Sequence, residues 1–238
     1  MLSSNPVLRT EHQSEGAFTT SDPDYRPLRE ENIEISEYFT YGNILAAFGH
    51  VLEDANKQVT ADVFPHREGS PYEINKDSCM DRVMEVWNLQ ICRNPMKLAA
   101  SKVQRSPGLP VSDITMRAHQ REFKLAVAPH LLTPDWAIYL KGDDKSILVW
   151  GENKLSSKWR SNLDLIPEQW SSKWIWPFRQ VLTYCVGTNT RCACLVSPEE
   201  LVVLRVYLNG NLGRNLWNVQ YRSIPWEKLR KEQVDGES

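Results

Sequence analysis

The stretch "DWAIYLKGDDKSILVWGENK", residues 135–154, constrains the fold most. It holds two short apolar runs, Trp136–Leu140 and Ile147–Trp150, too short for a typical helix. Such runs on both sides of a turn cluster at Gly142–Asp144 read as two strands closed by a tight turn. Downstream, "WPFRQVLTYCVGT" predicts a short helix with Pro177 near its first turn, where a missing N–H is no loss. "RCACLVS" and "ELVVLRVYL" read as a second strand pair around the Ser-Pro-Glu turn at 197–199. Upstream, "EISEYFTYGNILAAFGHVLEDANKQ" carries a helical pattern, with Ser36 as a cap and Ile44, Ala47, Phe48, Val51 and Leu52 on one face. "FPHREGSPYE" breaks that helix. A second helix is expected in "NKDSCMDRVMEVWNLQICRN", where Met80, Val83, Met84, Trp87 and Ile91 recur at helical spacing, and "QRSPGLPVSD" is a loop signal. Helix, strands, helix, strands gives an α+β class: a central mixed sheet flanked by helices.

A chain of 238 residues is long enough for one full-sized core or for one domain with tails. Residues 1–33 are polar, rich in Ser, Thr, Asp, Glu and Pro and without periodicity, so they are expected to be a disordered tail. Residues 34–75 form a helical extension, 76–226 the main domain, and 227–238 a charged C-terminal tail. Six of the nine tryptophans fall between 136 and 176, which points to a packed region there. The net charge of −2 gives no whole-chain support for nucleic-acid binding, so a local basic patch would have to supply it. Five cysteines, an odd number without framework spacing, read as reduced thiols. Cys185, Cys192 and Cys194 lack a fourth ligand at finger-like spacing, so buried strand thiols are expected rather than zinc. "MLSSNPVLRT" has no apolar core of signal-peptide length, and nothing in the chain approaches a membrane span. An intracellular protein, cytoplasmic or nuclear, is therefore expected.

Chemistry enters at the open end of the hairpin. Side chains alternate along a strand, so Glu152 and Lys154 share a face. A two-residue turn at Asp143-Asp144 sets Asp135 directly opposite Glu152. A turn at Gly142-Asp143 shifts the pairing by two and leaves Asp135 on the same face, whereas a three-residue turn breaks the match. Two adjacent carboxylates repel unless a cation sits between them, and hard oxygen ligands suit Mg²⁺ or Mn²⁺. Such an ion polarises a phosphoryl oxygen and activates water, while a neighbouring lysine stabilises developing negative charge. A lysine at an open strand end adds little stability, so its removal is expected to leave folding nearly intact. The bland alternative is a solvated strand end that happens to carry charges.

These residues resemble a known set. Pro134-Asp135 followed by Glu152-x-Lys154 is similar to the PD-(D/E)xK motif of the restriction-endonuclease-like nucleases. Gln180 and Tyr184 in "QVLTY" resemble the QxxxY motif of the RecB-like and lambda-exonuclease-like branch, and at i, i+4 they share one helix face. The wider string "PDW…GENKLSSKW…RQVLTYC…TRCACLVSPEELVVLRV" looks like fungal proteins with a PD-(D/E)xK nuclease-like domain, over roughly residues 76–226. The resemblance implies an α/β/α-like sandwich with a restriction-endonuclease-like core, and a helix that packs beside the metal site and helps orient substrate. It also implies a further metal-ligating glutamate on the helix before the sheet. "MEVWNLQI" makes Glu85 the candidate; His50 with Glu53 or Asp54 in "GHVLED" is the rival.

Asp135, Glu152 and Glu85 are thus the expected metal ligands, and Lys154, Gln180 and Tyr184 complete the catalytic set. Lys158, Arg160, Lys173 and Arg179 are the basic residues near the site that could track a phosphate backbone, or form a solvated positive face. Trp159, Trp170, Trp174 and Trp176 suit base stacking, although core packing is the expectation. Arg205 alternates out of the strand "LVVLRV" and could reach the same cleft. Two functions follow: a Mg²⁺- or Mn²⁺-dependent nuclease acting on DNA more readily than RNA, or a catalytically silent nuclease-like module that binds nucleic acid or protein.

Overall fold

The computed structural model describes residues 25–40, 42–44, 46, 114–118, 134–140, 147–155, 158–162, 164, 172–209 and 216–225. A seven-stranded sheet organises them in the order β1-β7-β6-β5-β4-β3-β2. The strands are β1 (Ile33–Ile35), β2 (Ile114–Ala118), β3 (Trp136–Leu140), β4 (Ile147–Asn153), β5 (Cys192–Val196), β6 (Glu200–Asn209) and β7 (Leu216–Pro225). Two pairs are parallel, β1 with β7 and β4 with β5, and the other four are antiparallel, so the sheet is mixed and the class is α+β.

Parallel neighbours cannot be joined by a tight turn, and the β4–β5 crossover is made by helix α1 (Trp176–Thr188), which packs against both strands. Phe178, Val181, Leu182 and Cys185 recur at i, i+3, i+4 and i+7 and are fully buried, the stripe that binds a helix to a sheet. Pro177 sits in the first turn, as expected. The helix stops at Asn189, whose φ of 55° is left-handed, a conformation Asn tolerates better than most residues. The next N–H, that of Thr190, then donates to the Cys185 carbonyl at 2.9 Å.

Alternation along the strands divides the sheet into two faces. Ala137, Tyr139, Trp150, Ala193, Leu195, Val202, Leu204, Val206 and Val219 are buried and form one core with the apolar stripe of α1. At the open end of the β3–β4 hairpin, Trp136 pairs with Gly151 and Ala137 with Trp150. That is the register of a two-residue turn at Asp143-Asp144. Nearer the turn the pairing slips, with Tyr139 opposite Ile147, so Leu148 is an extra residue on β4. The slip lets Ile147 and Trp150 both join the core although their numbers differ in parity. Gly151 is required by its neighbour: a Cβ there would lie 1.8 Å from the Trp136 ring.

Three features depart from the sequence reading. Residues 25–33, assigned to the polar tail, are part of the fold. Tyr25 and Leu28 are buried, the Arg26 N–H donates to Thr183 Oγ1 at 2.8 Å, and Ile33–Ile35 pair with β7. Tyr25, Leu28 and Ile33 thus dock an otherwise polar segment on the core. The other two departures are β2 and β7, which flank the four expected strands on either side. The two long helices expected upstream fall mostly outside the described residues, as do Glu85, His50, Glu53 and Asp54; residues 42–44 and 46 are helical. Among the described residues, no helix is long and apolar enough to cross a membrane.

Candidate active site

Strand β4 and helix α1 bring four of the expected residues into one hydrogen-bonded cluster. Glu152, on the core face of β4, is followed by Lys154, whose N–H extends the ladder to the Val196 carbonyl at 2.8 Å. The Lys154 ammonium lies 3.0 Å from Glu152 Oε1 and donates at 3.0 Å to Gln180 Oε1. Gln180 Nε2 donates to Glu152 Oε1 at 2.7 Å and to the Tyr184 hydroxyl at 2.7 Å. The Tyr184 hydroxyl in turn donates to Glu152 Oε2 at 3.3 Å. Lys154 can only donate and Glu152 can only accept, so the Gln180 amide has one orientation that serves both.

Burial gives this network its weight. Glu152, Lys154, Gln180 and Tyr184 are all at most 9% exposed. The tyrosine is held in place by the core itself, its ring 6.0 Å from that of Trp150, whose Nε1–H donates to Thr188 Oγ1. Burial, followed by the charge of Glu152, pushes the Tyr184 phenol well above its ordinary range. It therefore keeps its proton at neutral pH and serves as a donor to the carboxylate. The expectation for Lys154 changes accordingly. It is not at an open strand end but in a buried ion pair, and removing it would strand a carboxylate.

Asp135 stands just before β3 and is partly exposed. Its Oδ2 accepts the Asn153 N–H at 2.7 Å, which ties the aspartate to the strand segment between Glu152 and Lys154. Its charge also contributes to raising Tyr184, which puts the aspartate in the same electrostatic neighbourhood. No sequence pattern encodes this backbone contact, because a main-chain donor is independent of residue type.

The two carboxylates suit a hard divalent cation. Both Glu152 oxygens are engaged, but Oε2 has a single bond of 3.3 Å and so keeps a lone pair for an ion. Among the described residues no three His, Cys, Asp or Glu side chains gather into a ligand set, so Asp135 and Glu152 would need water or an acid from elsewhere in the chain.

The basic residues divide. Lys158 and Lys173 are half-buried on either side of the segment that follows the site. Arg160 pairs with Glu199 at 2.9 Å, a partly exposed contact that a phosphate could displace. Arg179 has a structural partner set: Nε and Nη2 donate to the carbonyls of Arg26 and Tyr25, and the guanidinium lies 4.3 Å from the Trp176 ring centre. Arg205 is opposite Cys192, on the face away from α1. Trp159 and Trp174 are core residues around Phe178, each with its Nε1–H on a backbone carbonyl. A cluster the sequence reading passed over is Glu200 with Ser161 and Ser223. The signal was there: Glu200 has the parity of the apolar Val202 and Leu204, so its carboxylate starts out on the core face.

A scan against family models, a search of curated proteins and a search of solved structures each returned no match.

Proposed function

We propose that the protein is a metal-dependent nuclease of the PD-(D/E)xK type, with a restriction-endonuclease-like core, that hydrolyses phosphodiester bonds in DNA more readily than in RNA. The observation that carries this reading is the pair of bonds from Gln180 to Glu152 and Lys154. They join two sequence motifs, one on a strand and one on a helix 26 to 28 residues further on, at one end of the sheet. A chance resemblance gives no reason for both motifs to meet.

In this reading Asp135 and Glu152 hold Mg²⁺ or Mn²⁺, which when bound polarises a phosphoryl oxygen and lowers the pKa of a water. Lys154 holds a positive charge where negative charge develops on the phosphate oxygens. Gln180 fixes the direction of that ammonium by accepting one of its hydrogens. Tyr184 orients Glu152 by donating to Oε2. Lys158, Lys173 and Arg160 offer charge for the substrate backbone.

The test is cleavage of labelled single- and double-stranded DNA and RNA, with and without Mg²⁺ or Mn²⁺. Asp135→Asn is the control, and its lost activity should be partly restored by added Mn²⁺. Folded wild-type protein that binds no divalent ion and cuts none of the four substrates would leave the silent binding module as the better reading.

A further inference from the structure

Residues 158–161 lie four to seven positions beyond Lys154, and Ser161 meets β6 at Glu200, which also binds Ser223 of β7. Short polar stretches after a strand usually sit in solvent; this one is held from several sides. The Ser161 N–H donates to Glu200 Oε1 at 2.8 Å, and the hydroxyls of Ser161 and Ser223 both donate to Glu200 Oε2. Trp174 Nε1–H donates to the Ser161 carbonyl at 3.0 Å, and Trp159 Nε1–H to the Trp174 carbonyl at 2.9 Å. Arg160 reaches Glu199 at 2.9 Å. At the other end, the N–H groups of Lys158 and Trp159 both donate to the Leu155 carbonyl, at 2.8 and 3.0 Å, which ties them back to the residue after Lys154.

Glu200 is the hub of this arrangement. It opens β6 at the same end of the sheet as Lys154, because Lys154 bonds the Val196 carbonyl and Ser197 bonds the Glu200 carbonyl. Three donors from two segments converge on one carboxylate, and none of them belongs to the site cluster. A carboxylate with three donors is a strong, directional anchor. What it fixes is the outward path of the turn that carries Lys158 and Arg160.

We propose that Glu200 is a positioning residue for substrate binding: by anchoring Ser161 it holds the Lys158 turn where its ammonium meets a phosphate of the nucleic-acid backbone. The inference rests on the nuclease reading, and it adds a residue that neither motif contains. It assigns Glu200 to binding and not to bond cleavage, since its side chain touches Ser161 and Ser223 and not the Glu152 cluster.

The experiment uses the full chain, a labelled duplex oligonucleotide and Mn²⁺. Glu200→Gln keeps the shape but presents an amide to donors; Ser161→Ala is the milder variant, keeping the backbone bond. Both should raise KM on the order of fivefold, the effect of one weakened contact, with kcat within about twofold of wild type. Both should also reduce the salt dependence of binding by about one phosphate contact, as Lys158→Ala does. Combining either with Lys158→Ala should add little, because both losses concern the same contact. Faster amide exchange at Ser161 with unchanged KM would overturn the inference while leaving the nuclease standing. So would a fall in kcat at constant KM, or losses that add in the double variant. Wild-type protein that neither binds nor cuts the duplex would remove the nuclease reading first, and the role of Glu200 with it.

Discussion

Replacing Lys154 by Met tests whether the Glu152–Lys154 pair is a charge arrangement the fold must balance. Methionine nearly preserves the volume and removes the charge. The two side chains are only 11% and 8% exposed, so water cannot compensate the carboxylate left behind. Breaking one side of a buried pair costs about 3–5 kcal/mol. Here Glu152 would retain Gln180 Nε2 at 2.7 Å and the Tyr184 hydroxyl at 3.3 Å, which places the loss at the lower end, about 3 kcal/mol. For a chain of this size that is a fall of about 6–12 °C in the thermal midpoint. The assay is thermal and urea unfolding of four proteins: wild type, Lys154→Met, Glu152→Gln, and the double variant. The double variant should recover most of the loss, giving a coupling of about 2 kcal/mol, within the range for residues in one network. Divalent ions should stabilise Lys154→Met by contributing the missing positive charge, yet leave its cleavage rate reduced by about a hundredfold or more. A Lys154→Met protein as stable as wild type, or strictly additive variants, would refute the reasoning from burial.

Gly151→Ala should destabilise by about 1–3 kcal/mol, since the new methyl would lie 1.8 Å from a Trp136 ring that is itself only 3% exposed. Because Trp136 follows Asp135, divalent-ion affinity measured by calorimetry should fall as well; unchanged stability and affinity would show that the ring has room to move. Alkaline pH offers a third check. Burial raises the Cys185 thiol above its ordinary value of 9.0, so the folded thiol keeps its proton where the unfolded one loses it. Stability is then fully present below pH about 9 and is lost as pH rises, by about 1.4 kcal/mol per pH unit for each such group. Urea unfolding between pH 8 and 10 should show this decline, and Cys185→Ala should make it shallower; an identical slope would rule the thiol out. Tyr184, raised in the same way, extends the decline above pH 10.

What was readable in the sequence follows from which forces act locally. The β3–β4 hairpin announces itself as two apolar runs about a turn cluster, and the register expected at its open end holds because Leu148 absorbs the slip before it reaches Trp136 and Gly151. β7 did carry a signal, Trp217, Val219 and Tyr221 alternating with Asn218, Gln220 and Arg222, and its pairing with the long β6 fixes it as a strand. The docking of Tyr25 and Leu28 depends on Thr183 and Arg179, more than 150 positions away, and no local pattern encodes it. Spacing alone brought Gln180 and Tyr184 to one face; that the face meets Glu152 is a tertiary fact. The exposure assumed for Lys154 failed for the same reason: a strand end is open only if nothing covers it, and α1 does.

The cost of the site bears on what it is for. A buried ion pair is a poor way to stabilise a fold, because removing two charges from water consumes most of what their attraction returns, and apolar side chains of the same volume often serve better. The positions around the pair show that apolar filling is available here: Trp150 two residues before Glu152 and Leu155 directly after Lys154 are buried without difficulty. A pure scaffold would have no physical need for an acid, a lysine, a glutamine and a tyrosine between them, each hydrogen-bonded to at least two of the others. Fully connected polar networks do rigidify a core, and that is the one service a silent module could draw from them. But rigidity does not call for a carboxylate with a spare lone pair, or for Asp135 fastened to the intervening Asn153 N–H while partly open to solvent. Those two features are idle in a scaffold and necessary in a site that admits a cation and a phosphate. The disposition of charge therefore argues for chemistry, and the balance would reverse if Glu152→Leu/Lys154→Leu proved more stable than wild type while binding nucleic acid equally well.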